Sequence, residues 1–278
     1  MASITLDWNE YLKKATEVVE EGCVLLENKN QCLPFTKDAK VAIFGRIQKH
    51  YYKSGTGSGG MVNVSKVVDI VEGLKNTKKV KVDSELETLY EKWEQDHPFE
   101  QGVGWGGEPW CQEEMPISKE VAEYYSKKND VALFILGRTA GEDKDNGIFE
   151  GSWLLTKTEK EVLKNLRATF EKVCVVLNVG NIIDMNFVKD YNLDAVLYCW
   201  QGGMVGGQGT ANILTGLANP SGKLSDTIAK SIDDYPSNKN FGNPKAETYQ
   251  EDIYVGYRYF ETLAKDKVLY PFGYGLSY

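Results

Sequence analysis

The chain has 278 residues, 42% of them hydrophobic and 26% charged, which is ordinary for a globular protein and long enough to bury a core. Its 32 basic residues against 40 acidic ones give a net charge of −8, which excludes a nucleic-acid or anionic-membrane partner as the expectation. With two histidines, His50 and His97, and five cysteines without a CxxC pair, there is no metal site to argue for and nothing that calls for a cofactor.

In chain order, Trp8 to Leu26 reads as an amphipathic helix running into a hydrophobic stretch, the core of a helical lead-in over 6–30. The start shows no basic segment followed by an apolar one, and no stretch reaches the length of a membrane span, so a cytoplasmic location is expected. Val41 to Phe44 is a short buried strand ending at Gly45, followed by a long loop, Arg46 to Gly60. Val67 to Leu74 reads as helix, Lys79 to Asp83 as an edge strand, and Leu86 to Trp93 as helix. Gln95 to Pro116 has no period and is rich in glycine and tryptophan, the mark of a long loop. Val121 to Lys128 is a helix leading into Val131 to Leu136, six apolar residues that form a buried strand.

Beyond the loop Gly137 to Asn146, Thr156 to Phe170 is a strong helix with Thr156 as cap and Glu159 at the capping-box position. Val173 to Leu177 and Ala195 to Tyr198 are further strands, with a helical piece at Ile183 to Val188 between them. Gly206 to Leu217 is a small-residue helix suited to close packing, and Lys223 to Tyr278 consists of short extended pieces and turns. Strands alternating with helices imply an α/β fold, a mostly parallel open sheet sandwiched between helices, with a tyrosine-rich irregular C-terminal segment. The expected organisation is one domain over 1–278, with sheet and helices over 40–228 and loops and turns over 229–278.

In a parallel sheet the strands end on one edge, so the glycine loop near Gly60, the Glu142 loop, Asn178-Val-Gly180 and Trp200-Gln-Gly-Gly203 should rise from a common rim. Glu142, Asp143 and Asp145 are either solvated loop charges or the chemistry of that rim. Gly55-Thr-Gly-Ser-Gly-Gly60 satisfies G-x-G-x-x-G, but a dinucleotide fingerprint follows its strand directly, whereas here ten residues intervene. The loop is therefore a flexible surface segment or a backbone that closes over a ligand. Trp105 and Trp110, in their glycine-rich loop, are either core or stacking surfaces for a flat ligand such as a sugar ring.

Lys53-Ser-Gly-Thr-Gly-Ser-Gly-Gly60, Ala140-Gly-Glu-Asp143, Leu177-Asn-Val-Gly180, Trp200-Gln-Gly-Gly203, Asn219-Pro-Ser-Gly-Lys-Leu224, Glu251-Asp-Ile-Tyr-Val-Gly-Tyr-Arg-Tyr259 and Phe272-Gly-Tyr-Gly-Leu-Ser-Tyr278 occur in this order. The set resembles the α/β-sandwich domain of family-3 glycoside hydrolases of the β-glucosidase type. The opening Leu6-Asp-Trp-Asn-Glu-Tyr11 resembles members of inverted domain order, with the sandwich first and the (β/α)8 barrel after it. The resemblance implies that Glu142 is the general acid/base of a retaining β-glucosidase acting on β-glucosides or cello-oligosaccharides. It further implies that the nucleophile lies on the barrel, which this chain lacks. Lys53, Ser54, Gly55, Gly57, Gly59 and Gly60 match a loop bordering the sugar site. Two other readings stand beside this one: a non-catalytic carbohydrate- or partner-binding module, and a nucleotide-binding α/β protein.

Overall fold

The computed structural model describes residues 6–58, 60, 62–104 and 106–278. Its first half runs α1 (Trp8–Gly22), β1 (Val24–Asn28), β2 (Lys40–Phe44), α2 (Ile70–Thr77), β3 (Lys81–Val82), α3 (Ser84–Asp96), α4 (Lys119–Ser126) and β4 (Val131–Arg138). Then follow α5 (Lys157–Thr169), β5 (Val173–Val179), α6 (Phe187–Asp190), β6 (Ala195–Tyr198), α7 (Gly206–Leu214), β7 (Ile228–Ala229), α8 (Tyr257–Leu263) and β8 (Val268–Tyr270). Among the described residues no helix is long and apolar enough to cross a membrane.

Six strands form one sheet in the order β1-β6-β5-β4-β2-β3. All neighbours are parallel except β1, which runs antiparallel to β6 at one edge. The eight residues of β4 are all buried, as a central strand covered on both faces requires. Alternation along the strands divides the core into two layers. Phe44, Phe134, Leu136, Val175 and Leu177 face α3, α4 and α5, while Ile43, Leu133, Ile135 and Val176 face α1, α2 and α7. The small residues of α7 let it approach α2 until the Gly207 carbonyl fills the space where Gly73 has no side chain.

Helix starts follow local chemistry. Asp7, Asp69, Asp83, Ser118 and Thr156 each accept backbone N–H groups of the helix they precede, satisfying donors that have no intrahelical partner. At α5 the full capping box forms, with Glu159 reaching back to the Thr156 N–H at 2.7 Å.

Two expectations need correction. The helical lead-in over 6–30 is cut at Cys23: Val24–Asn28 is a strand, because its apolar residues complete the sheet edge against β6 instead of extending α1. The C-terminal loops and turns over 229–278 contain α8 and the β7–β8 pair, which enclose a small core of Ala229, Phe260 and Ala264.

Candidate active site

Between β2 and β4 the winding of the sheet reverses. The chain goes from β2 outward to β3, then crosses back to lay β4 on the other side of β2. At such a switch point the loops leaving adjacent strands diverge and open a crevice at the carboxyl edge. Here the two loops meet again above it. Thr56 and Gly141 form a parallel bridge, with the Thr56 N–H donating to the Ala140 carbonyl at 2.6 Å and its hydroxyl to the Glu142 carbonyl at 3.0 Å.

Glu142 sits at the tip of a turn closed by the Lys144 N–H on the Gly141 carbonyl at 3.1 Å. Its side chain is exposed, and so are those of Asp143 and Asp145. Among the described residues, its carboxylate accepts one long hydrogen bond, from the Ser58 N–H at 3.4 Å. The glycine loop fits against it. Gly57 has φ +90°, and a Cβ there would stand 2.5 Å from the Cβ of Glu142 and 2.8 Å from its Oε2. A side chain at Gly55 would run into the Ala140 carbonyl.

The other candidates divide into three groups. Lys53 and Ser54 fasten the glycine loop: the ammonium donates to Ser54 Oγ at 3.1 Å and to the carbonyls of Gly60 and Val62 at 3.2 Å each, while Ser54 Oγ donates to Gly60 at 3.4 Å. Gly59 and Trp105 lie outside the described residues. Trp110 is half-buried beside the Glu142 turn, where one face of its ring carries the Lys144 ammonium at 4.0 Å and Phe149 meets it edge-on at 5.4 Å. Glu108 is drawn into the same corner; burial raises its pKa, opposed by Lys144 and Lys53.

The sequence places Asn178-Val-Gly180 on the rim without giving the Asn178 side chain a task, and it does not single out Arg138 or Glu114; all three support the rim. Asn178, fully buried at the end of β5, accepts the Tyr52 N–H at 2.7 Å and donates to the carbonyls of Tyr52 at 3.1 Å and Trp200 at 2.6 Å. Arg138, at the last position of β4 and 1% exposed, forms two 2.6 Å bonds to the Glu159 carboxylate. Burial works against the arginine's charge, yet Glu159 holds its pKa above the ordinary value. Glu114 is buried, with no cationic side chain bonded to it among the described residues; it accepts the N–H groups of Arg46 at 3.1 Å and Met115 at 2.9 Å, and burial pushes its pKa up to about 8. An arginine closing an apolar run, with a glutamate at a capping-box position after it, is a signal that sequence carries. The Asn178 and Glu114 roles depend on what lies across the sheet.

Fold and site define an α/β domain that presents a carboxylate on a shared rim at a topological switch point. Residues 23–278 match the glycosyl hydrolase family 3 C-terminal domain, and the chain belongs to that family. It is 56% identical over 275 residues to a β-glucosidase of Ruminococcus albus, covering 99% of this chain and 29% of that protein. With β-glucosidase A of Butyrivibrio fibrisolvens the identity is 37% over 296 residues, covering 97% and 35%. The structure of a β-glucosidase from Paenibacillus barengoltzii superposes with a TM-score of 0.95 at 47% identity, over 100% of this chain and 30% of that one. β-Glucosidase 3B from Thermotoga neapolitana in complex with α-D-glucose gives 0.89 at 34% identity, over 99% and 39%. The chain thus spans about a third of the length of these relatives.

Proposed function

We propose that the chain is the α/β-sandwich domain of a retaining β-glucosidase, with Glu142 as its general acid/base. A (β/α)8 barrel, following it in inverted order, supplies the nucleophile and most contacts to the terminal glucose. The substrate is a β-glucoside or cello-oligosaccharide. Lys53, Ser54, Gly55, Gly57 and Gly60, with Trp110, form part of the rim around the bond to be cleaved, and the enzyme works in the cytoplasm.

The observation that carries this reading is the position of Glu142. It stands at the switch point, exposed, with one long hydrogen bond to its carboxylate among the described residues and a glycine loop fitted to its side. Retaining hydrolysis requires a second carboxyl about 5 Å from the acid/base, across the glycosidic bond. A nucleophile brought in by another domain meets that requirement, and the third of their length shared with this chain leaves the relatives ample room for one. In the first step Glu142 gives its proton to the departing oxygen while the nucleophile attacks the anomeric carbon. In the second it takes a proton from the water that releases the sugar.

The chain alone should hydrolyse an aryl β-glucoside negligibly, and adding the barrel should restore turnover. In the full enzyme, Glu142→Gln should remove most turnover. Azide should recover part of it on activated substrates, because an anionic nucleophile attacks the glycosyl intermediate without needing a base. Wild-type turnover by the Gln variant would overturn the assignment. Calorimetric sugar binding by the isolated chain, with no recovery on adding the barrel, would favour a binding module.

A further inference from the structure

Asn178 lies on β5, two strands away from β2 in the sheet, yet its side chain engages the loop that leaves β2. Its amide pairs with both the N–H and the C=O of Tyr52, as a neighbouring strand would, and uses its remaining donor on the Trp200 carbonyl. Only one orientation of the amide satisfies these groups, since one backbone donor and two backbone acceptors surround it. Burial makes the arrangement strict: an unmatched polar group at a site with no solvent exposure is costly.

From Tyr52 the path to Glu142 is short. The Lys53 carbonyl, next in the chain, accepts the Gly203 N–H at 2.8 Å, which ties the same loop to the segment after β6 a second time. Three residues further, Thr56 pairs with Gly141 and holds the Glu142 carbonyl through its hydroxyl. Among the described residues the side chain of Glu142 accepts a single long hydrogen bond, so the backbone on either side of it does most to set its location.

We propose that Asn178 is a positioning residue for the general acid/base: it fixes the height of the 52–56 segment above the sheet, and that segment fixes Glu142. The proposal rests on the reading of Glu142 given above. It reaches a residue that touches neither substrate nor reacting atoms, and it assigns to this amide a task beyond holding the fold together.

A misplaced acid has a signature that general loosening lacks. Departure of a sugar alkoxide needs the Glu142 proton on the glycosidic oxygen, whereas a dinitrophenolate departs without one. In the full-length enzyme, Asn178→Asp keeps the shape but replaces both N–H donors by an oxygen facing two carbonyls. Its kcat/KM on cellobiose should fall about 100-fold, the scale of an ångström-sized misplacement. On dinitrophenyl β-glucoside the fall should be at least about tenfold smaller, with Glu142→Gln skewed the same way. Equal losses on both substrates, or no loss, in a variant with wild-type circular dichroism would overturn the proposal. If Asn178→Asp does not fold, Thr56→Val, which removes the hydroxyl bond to the Glu142 carbonyl but keeps the backbone bridge and leaves the core untouched, should give a smaller skew of the same sign; an unchanged ratio there would overturn it as well. A Glu142→Gln enzyme that does not distinguish the two substrates would remove the acid/base reading itself and the proposal with it, a result separable from failure of the Asn178 variants alone.

Discussion

Glu142 and Glu159 belong to one strand–loop–helix unit, and their surroundings differ in every respect. Glu159 is 4% exposed; both of its oxygens bond Arg138, and one also accepts the Thr156 N–H. Glu142 lies in solvent with a single long backbone contact among the described residues. A buried carboxylate with both oxygens engaged holds structure and offers nothing accessible to a substrate. One that is positioned through its backbone but left unsatisfied at its oxygens is available for proton transfer. The charged pair beneath is what allows this: it fixes the end of β4 and the start of α5, so the turn between can carry a carboxylate that contributes little to stability.

The largest effect is expected at Glu142. Replacing it by Gln should cost the full enzyme about 10²- to 10⁴-fold in turnover on poor leaving groups, the usual reach of general acid–base catalysis. Denaturation midpoints should be unchanged, and a drop in stability matching the loss of activity would contradict the division of roles. Arg138→Met should behave in the opposite way. It leaves Glu159 buried without its partner and should destabilise the fold by about 3 to 5 kcal/mol, whereas pairing it with Glu159→Leu should return most of that loss. Urea titration of both variants decides this.

A third carboxylate sharpens the contrast. Glu114 is buried like Glu159 but among the described residues has only backbone and tyrosine donors, and its pKa rises from the ordinary 4.5 to about 8. A folded-state pKa above the unfolded one means that its contribution is fully present below about pH 4.5 and is lost as pH climbs to about 8. Over that window stability should fall as pH rises. Glu114→Gln should flatten the profile of unfolding free energy between pH 5 and 8, and an unaltered slope would rule Glu114 out as its source. The smallest effect belongs to the cap: Thr156→Ala should cost about 1 kcal/mol, read from the thermal midpoint, with Arg138–Glu159 still in place.

The sheet was legible in the sequence wherever a strand was buried on both faces. Val131 to Leu136 and Val173 to Leu177 announce themselves because nothing polar interrupts them. Val24-Leu-Leu26 was read together with the helix because it continues the apolar pattern; Gly22 marks the break, but only its partner β6 makes it a strand. Tyr257–Leu263 has no side-chain cap, so nothing local separated it from the turns around it. At the site, Glu142 and the glycine loop could be placed on one rim by the logic of parallel strands. Their contact through Thr56, the ammonium on Trp110 and the reach of Asn178 across β4 arise from which strands become neighbours, which one-dimensional spacing does not encode.

Both edges of the sheet are closed to further strands, though by different means. At one edge β3 offers only two residues for pairing. At the other, β1 would expose a row of free carbonyls and N–H groups, but Leu276 bridges Leu25, with its N–H on the Leu25 carbonyl at 2.8 Å, and the Tyr274 hydroxyl bonds the Leu26 carbonyl at 3.2 Å. The tyrosine-dense tail thus covers the middle of the β1 edge. Stripped of the segment after Pro271, the molecule would keep the Glu142 rim and acquire a sticky flank on which a second copy could template its own strand, the first step toward aggregation.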